Sequence, residues 1–582
     1  MSTTVIPIQP GTEVAEPLVE VADLSIGFHG ATAVAGVSFE VRAGECVALV
    51  GESGSGKSIT ARSLVGLSGP GAEIRAATLR VDGRDALGFR ERDWRGVRGR
   101  FAGLVMQDAL VSLDPLQTVG SAVEQVLRRH AVVPRAEVAQ RALDVLASVG
   151  MPDPGLRAGQ YAHELSGGLR QRALIATAIA ADPALIIADE PTTALDVTVQ
   201  KVILDLLAEQ VAAGTGMLLI SHDLAVVSQI AHRIVVLRDG EVVETGTTAE
   251  ILGRPQAAYT RRLLAAIPSA GSRGRRLSEV GVDDSTDDGG TGPVAQVTDR
   301  PVASAAGVDV ERPVVEASGL RKTYRLGSRR SGSVTTALDD VSFSVGRGEV
   351  LGIVGESGSG KSTCAGVLLG LTRPEAGEVL LDGSPWATAT ERERRPLRHE
   401  LQLVPQDPLS SFDPRYTVRK VIGENLRPLR LGKTAVADRS VDLLRQVGLD
   451  ERFLDRHPRT LSGGQRQRVA IARALAPNPR VLVCDEAVSA LDVNVQAQVL
   501  DLLGDLREAH GTALVFISHD LGVVHHVADR VLVFHRGSVV EQGDVDDVFL
   551  NPQHDYTRRL VAAVPTMPTQ ESTQESTRRS HP

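Results

Sequence analysis

Two eight-residue runs in the chain read GESGSGKS, at residues 51–58 and 355–362. Each follows a short β-rich run, CVALVG (46–51) or VLGIVG (350–355), and leads into a helical pattern, SITARSLVGL or STCAGVLLGL. A strand, GxxxxGK[ST] and a helix in that order make a phosphate-binding loop. The glycines let backbone N–H groups crowd around phosphate oxygens without Cβ clashes. The N-terminus of the following helix adds the positive end of its dipole. Lys57 and Lys361 supply a point charge for the outer phosphates, and the hydroxyls of Ser58 and Ser362 suit Mg²⁺. Only six of the 63 basic residues are lysine, so two in matching loops stand out.

A second acidic element ends each of two buried-strand patterns: Asp189–Glu190 after ALIIA and Asp485–Glu486 after VLVC. Two such acids alone would read as solvated loop residues. At the C-terminal end of a strand in an open α/β sheet they lie where such sheets bind ligands. Asp suits a Mg²⁺-bound water, and the following Glu can orient an attacking water. His222 and His519 each follow a further β-run, MLLIS or ALVFIS, at the same position, which places them at the phosphate as well. SGGLRQRALIATAIA and SGGQRQRVAIARALA begin with serine and glycines and continue as helix formers, which predicts helices with Ser166 and Ser462 near their starts.

These elements occur twice because the chain is one unit written twice. LSGGLRQR at 165–172 answers LSGGQRQR at 461–468, and LISHDLAVV at 219–227 answers FISHDLGVV at 516–524. RPQAAYTRRLLAAIP at 254–268 answers NPQHDYTRRLVAAVP at 551–565. The near-constant offset means a duplicated domain rather than a short solenoid repeat. Strands alternating with helices predict an α/β core with a largely parallel sheet. The copies span 17–268 and 313–566. Between them, 269–312 is rich in Gly, Ser, Asp and Pro, the composition of a flexible linker, and 1–16 and 567–582 read as disordered tails.

Composition bounds the rest. With 582 residues, 42% hydrophobic and 23% charged, the chain is globular, not disordered throughout. A net charge of −9 argues against a broad basic nucleic-acid surface. Three scattered cysteines and no CxxC pair exclude a disulfide framework and make a zinc site improbable; a reducing cytosol is the expected setting. No run of about 18 apolar residues occurs, and the first residues lack the basic start and apolar stretch of a secretory signal.

In this order, the P-loop, the LSGGQ-type run, the DE pair and the SHD run resemble a fused tandem ATP-binding subunit of an ABC transporter, over 17–268 and 313–566. The resemblance implies two tandem P-loop ATPase domains. Each would have a largely parallel core sheet, a helical signature subdomain and an antiparallel β part. It implies that ATP meets Gly51, Glu52, Ser53, Gly54, Ser55, Gly56, Lys57, Ser58 and Ile59 in one loop. In the other loop it would meet Gly355, Glu356, Ser357, Gly358, Ser359, Gly360, Lys361, Ser362 and Thr363. It adds the signature residues Ser166, Gly167 and Gly168, then Ser462, Gly463, Gly464 and Gln465, and the D-loop aspartates Asp196 and Asp492. Tyr324 and Phe28 would stack on adenine, although Phe28 reads as a core phenylalanine too. Gln107 and Gln406 would be Q-loop glutamines that touch metal and attacking water and face a permease. Mg²⁺ would then lie near Ser58, Gln107 and Asp189, or near Ser362, Gln406 and Asp485. Glu190 with His222, and Glu486 with His519, would carry the hydrolysis.

The family's two nucleotide domains close head-to-tail, so the resemblance implies intramolecular pairing of the copies, two membrane-embedded permease subunits, and an extracytoplasmic substrate-binding protein met indirectly. It implies a peripheral position on the cytoplasmic face of the membrane and no nucleic-acid partner. The paired YTRRL ends, with SLDP at 112–115 and QDPLSSFDP at 406–414, resemble the peptide and nickel importer subfamily. Di- or oligopeptides are the first cargo class, with nickel and glutathione open. No cysteine follows Cys484, so the iron–sulfur cluster of some subfamily members is not expected. A tandem ATPase acting on ribosomes is the alternative, but such proteins tend to have a long, charged, helical linker. DNA-repair ATPases need zinc modules or long coiled coils, and neither is present. Two departures stand out: Leu169 in LSGGL where Gln is usual, and Ala487 where the first copy has Pro191. Both fall in the parts that would form one composite site, which is expected to be the slower.

Overall fold

The computed structural model describes residues 16–107, 109–193, 195–278, 313–326, 333–489 and 491–565. The expected tails, apart from Glu16, and residues 279–312 of the expected linker lie outside the described residues. The chain forms two compact units, each built on the same plan.

The core of the first unit is a six-stranded sheet in the order Glu241–Thr247, Arg233–Arg238, Cys46–Val50, Gly216–Ile220, Leu185–Asp189, Ala102–Val105. All neighbours are parallel except the Glu241–Thr247 edge. The central runs CVALV, LIIAD and GMLLI are buried at every residue, as strands covered on both faces must be. The second unit repeats the order with Ser538–Asp544, Arg530–His535, Val350–Val354, Ala513–Ile517, Val481–Asp485 and Leu401–Val404.

An antiparallel sheet covers one face of each core. In the first unit Val19–Phe28 alternates buried and open positions, and Val19, Val21, Leu24 and Ile26 pack into one cluster with Val47, Leu49, Ile187 and Ile220. In the second, Val315, Ala317 and Leu320 do the same against Leu351, Ile353, Val483 and Ile517. A helical part follows the Gln-bearing strand. Val119–Arg129 buries Val119, Val123 and Leu127 at four-residue spacing, and Val418–Leu426 buries Val418, Ile422 and Leu426. The serine-led runs form Gly167–Ile179 and Gly463–Leu475 with Ser166 and Ser462 as N-caps. Among the described residues no helix is long and apolar enough to cross a membrane. Cys46, Cys364 and Cys484 are all buried in these cores.

One stretch departs from the sequence expectation. Residues 269–278, read as the start of a flexible linker, belong to the second compact unit. Arg273 pairs with Asp546 and donates to the Ala528 carbonyl at 3.2 Å, and Arg276 pairs with Asp505. The backbone N–H groups of Leu277 and Ser278 both donate to the Asp501 carboxylate, at 3.0 and 2.8 Å, and Leu277 is buried. Composition averaged over 44 residues hides two arginines and a leucine that match a local acidic face. Replacing Asp501, Asp505 and Asp546 together by alanine should speed trypsin cleavage after Arg273 and Arg276 about tenfold, the effect of roughly 1–2 kcal/mol of lost contacts. Mass spectrometry of a limited digest checks this; equal cleavage rates would mean that the segment is not held in solution.

Candidate active site

Four neighbouring parallel strands each deliver one chemical group at their C-terminal ends. In the first unit Cys46–Val50 leads to the loop with Lys57, Gly216–Ile220 to His222, Leu185–Asp189 to Glu190, and Ala102–Val105 to Gln107. The second unit delivers Lys361, His519, Glu486 and Gln406 in the same way. Parallel pairing puts all four groups on one edge of the sheet, although Gln107 and Glu190 are 83 residues apart in sequence.

The loop needs its glycines. Gly51 and Gly355 have φ of 147° and 145°, and a Cβ there would lie 2.1 Å from the Leu237 carbonyl oxygen or 2.2 Å from that of Phe534. Lys57 donates to the carbonyls of Gly51 and Glu52 at 2.8 and 2.7 Å, and Lys361 to those of Gly355 and Glu356 at 2.7 and 2.8 Å. Burial pulls the Lys361 ammonium below its ordinary value, against the opposing pull of the carboxylates Glu486 and Asp485.

The glutamates sit at the centre. Glu190 accepts from the Gln107 amide at 2.7 Å and from the Thr193 hydroxyl at 3.0 Å, and its other oxygen meets His222 Nδ1 at 3.1 Å. Glu486 accepts from Gln406 at 2.6 Å and faces His519 Nδ1 at 3.5 Å. Burial would raise both carboxyls, but His222 and Lys57 hold Glu190 below the usual range, and His519, Lys361 and Gln406 do so for Glu486. Burial would lower both imidazoles, yet the facing glutamates raise them. Both glutamates adopt left-handed backbone, φ 49° and 48°, which is strained for a residue with a side chain. Their N–H groups bond Ile220 O and Ile517 O at 2.9 Å, which helps hold the strained turn.

The neighbouring aspartates differ between the copies. Burial raises the carboxyls of both Asp189 and Asp485. Ser58 donates to Asp189 at 2.8 Å, and Arg62 stands 3.5 Å from its second oxygen. Gly366 occupies the position of Arg62 in the second copy. Sequence reading missed Arg62 and Thr193. The repeat could have found Thr193, since Ser489 aligns with it and keeps the hydroxyl.

Asp196 accepts from Val199 N–H at 3.0 Å and Asp492 from Val495 N–H at 3.1 Å, each capping the helix it precedes. Tyr324 is 42% exposed, whereas Phe28 packs against the first unit's core cluster. Ser462 accepts from Gln465 N–H while the Gln465 side chain accepts from Ser462 N–H, a closed capping box. Ser166 makes no side-chain cap bond, and Leu169 cannot close the box. The first consequence of Leu169 is therefore at the helix start.

The sequence profile described as ABC transporter matches residues 34–193 and 338–489. A second, described as Oligopeptide/dipeptide transporter, C-terminal region, matches 243–286 and 540–582. The chain is 41% identical to the oligopeptide transport ATP-binding protein OppD of Mycobacterium bovis, over 94% of this chain and 98% of that one. It is 42% identical to the peptidoglycan transport ATP-binding protein YejF of Agrobacterium fabrum, over 94% and 96%. It is 42% identical to the glutathione import ATP-binding protein GsiA of Salmonella typhimurium, over 94% and 89%.

Two predictions follow from the geometry. Each Glu–His pair stabilises fully from the ordinary carboxyl value of 4.5 up to the ordinary imidazole value of 6.5. Its contribution is lost as pH rises through the raised imidazole value or falls through the lowered carboxyl value. Replacing His222 and His519 by Gln should thus lower stability most between pH 4.5 and 6.5, with a deficit that shrinks at higher pH in denaturant melts. A deficit as large well above this window as inside it would refute the ion pairing. Separately, Leu169→Gln should stabilise the first unit by about 0.5–1 kcal/mol by closing the capping box, and Ser462→Ala should cost the second about 1 kcal/mol. Calorimetry on each variant reads both changes.

Proposed function

The chain belongs to the ABC transporter family, and on that footing we propose how its two sites use ATP and what its transporter carries. It is the ATP-binding, ATP-hydrolysing subunit of an importer. The observation that supports the residue roles best is the Gln–Glu–His cluster beside each P-loop.

The loop N–H groups and Lys57 or Lys361 hold the phosphates. The Ser58 hydroxyl and Asp189 carboxylate converge as hard oxygen donors, a pair that fits Mg²⁺ and would hold it beside the phosphates. Ser362 and Asp485 take the same roles in the second copy, and when bound the ion neutralises phosphate charge. Glu190 and Glu486, kept anionic by their partners, accept a hydrogen bond from the attacking water and aim it at the γ-phosphate. His222 and His519 fix the glutamates and reach the phosphate. Catalysis is chiefly positioning and charge neutralisation.

Two permease subunits seat the chain at the cytoplasmic face of the membrane. A separate extracytoplasmic protein selects the cargo. Short peptides are the cargo class. The profile matches at 243–286 and 540–582 support this, as do relatives named for oligopeptides, peptidoglycan and glutathione, itself a tripeptide.

Glu190→Gln with Glu486→Gln should retain ATP binding while phosphate release in membranes with the permease falls at least about a hundredfold, the weight of a positioned base. Turnover at the parental rate would remove the glutamates from the mechanism. Cells carrying the variant should also lose uptake of a labelled tripeptide; loss of nickel uptake alone would overturn the cargo assignment.

A further inference from the structure

Each nucleotide loop is tied at its second residue to a tyrosine from the far end of its own copy. Tyr259 Oη accepts from the Glu52 N–H at 3.3 Å, and Tyr556 Oη accepts from the Glu356 N–H at 3.0 Å. The partners are 207 and 200 residues apart in sequence, and both tyrosines are buried. The contact occurs twice, once within each unit, so it is not an accident of one side-chain placement.

The same scaffold holds both rings. Glu244, on the edge strand of the core sheet, accepts from the N–H groups of Gln256 and Ala257 at 2.6 and 3.1 Å; Glu541 accepts from Gln553 and His554 at 2.7 and 3.1 Å. These bonds fix the entry to the helices Ala258–Ala265 and Asp555–Ala562, whose YTRR runs carry the tyrosines. Arg261 and Arg558 donate back to carbonyls of the Pro–Gln turn, Arg261 to Gln256 at 2.6 Å and Arg558 to Gln553 at 2.9 Å. The Arg238 guanidinium lies over the Tyr259 ring at 5.3 Å, and His535 stacks on Tyr556 with centroids 4.1 Å apart. Arg238 and His535 end the strand beside the P-loop strand, and the preceding residues, Leu237 and Phe534, present the carbonyls that crowd Gly51 and Gly355.

The tied residue is also the one that holds the loop lysine. The Glu52 carbonyl accepts from Lys57 Nζ and the Glu356 carbonyl from Lys361 Nζ. One residue therefore has its N–H fixed by tyrosine and its carbonyl fixed by lysine. We propose that Tyr259 and Tyr556 are positioning residues for ATP binding, acting through Glu52 and Glu356 on the loop backbone and its lysine. The C-terminal segment of each copy then has a task at the nucleotide as well as any it has toward cargo. Burial raises both phenols, Tyr556 to about 12, so each stays a neutral hydroxyl at working pH.

The test uses the full chain with Tyr259→Phe, Tyr556→Phe and the double variant, which keep the ring and remove only the hydroxyl. A fluorescent trinitrophenyl ATP analogue is titrated to both loops, and the KM and kcat for ATP are read with the permease present. Each single variant should weaken one class of sites about five- to tenfold, and the double variant both classes, as expected for one lost hydrogen bond per loop. The KM should rise with kcat nearly unchanged. A double variant with parental analogue affinity and parental KM would overturn the proposal, whatever its melting temperature. Because the hydrolysis glutamates are untouched, such a failure would leave the ATPase assignment standing.

Discussion

A carboxylate that must stay charged while largely buried sets the terms for the rest of each unit. Without partners, burial would neutralise Glu190 and Glu486, and a neutral acid is a poor acceptor for a water proton. The partners that prevent this come from separate places: an amide from one strand end, an imidazole from another, an ammonium from the loop. Only a sheet with four parallel strands side by side brings those ends together. The buried Val/Ile/Leu strands, the antiparallel cover and the glycines at the loop follow from that need, because each keeps the strand ends in register. The left-handed backbone at both glutamates is local strain that this surrounding order sustains.

Much of this was legible in the chain because it is written twice. Repetition separated GESGSGKS, DE and SHD from chance runs, and short apolar runs ending in glycine or acid gave the parallel core. The Gln107–Glu190 contact was not legible as a distance: 83 residues separate the pair, and only strand order closes the gap. The capping box of Ser462 and Gln465 was legible as S-x-x-Q, but the resemblance directed attention to a phosphate and away from the helix start. Residues 269–278 were missed because composition is an average, and a few well-placed side chains decide whether a Gly/Ser stretch docks.

The copies are not interchangeable. The first has Arg62 beside Asp189, a Ser58–Asp189 bond and a threonine on its glutamate. The second has Gly366 in place of Arg62, and Ser489 donates to the Glu486 backbone carbonyl instead of the carboxylate. The signature helix of the second copy closes its capping box and that of the first does not. Duplication supplied two equal frames, and small polar changes around the same strand ends then gave the two sites different electrostatics.

The three cysteines carry a practical consequence. All lie within the cores, where burial pushes the thiols of Cys364 and Cys484 up to about 12 and that of Cys46 higher still. At neutral pH such thiols stay protonated, and only the thiolate attacks electrophiles. The folded chain is thus close to inert toward maleimides and mild oxidants without any engineering. A single cysteine introduced on an exposed helix would take a spin or fluorescent label alone, in a background that is already silent.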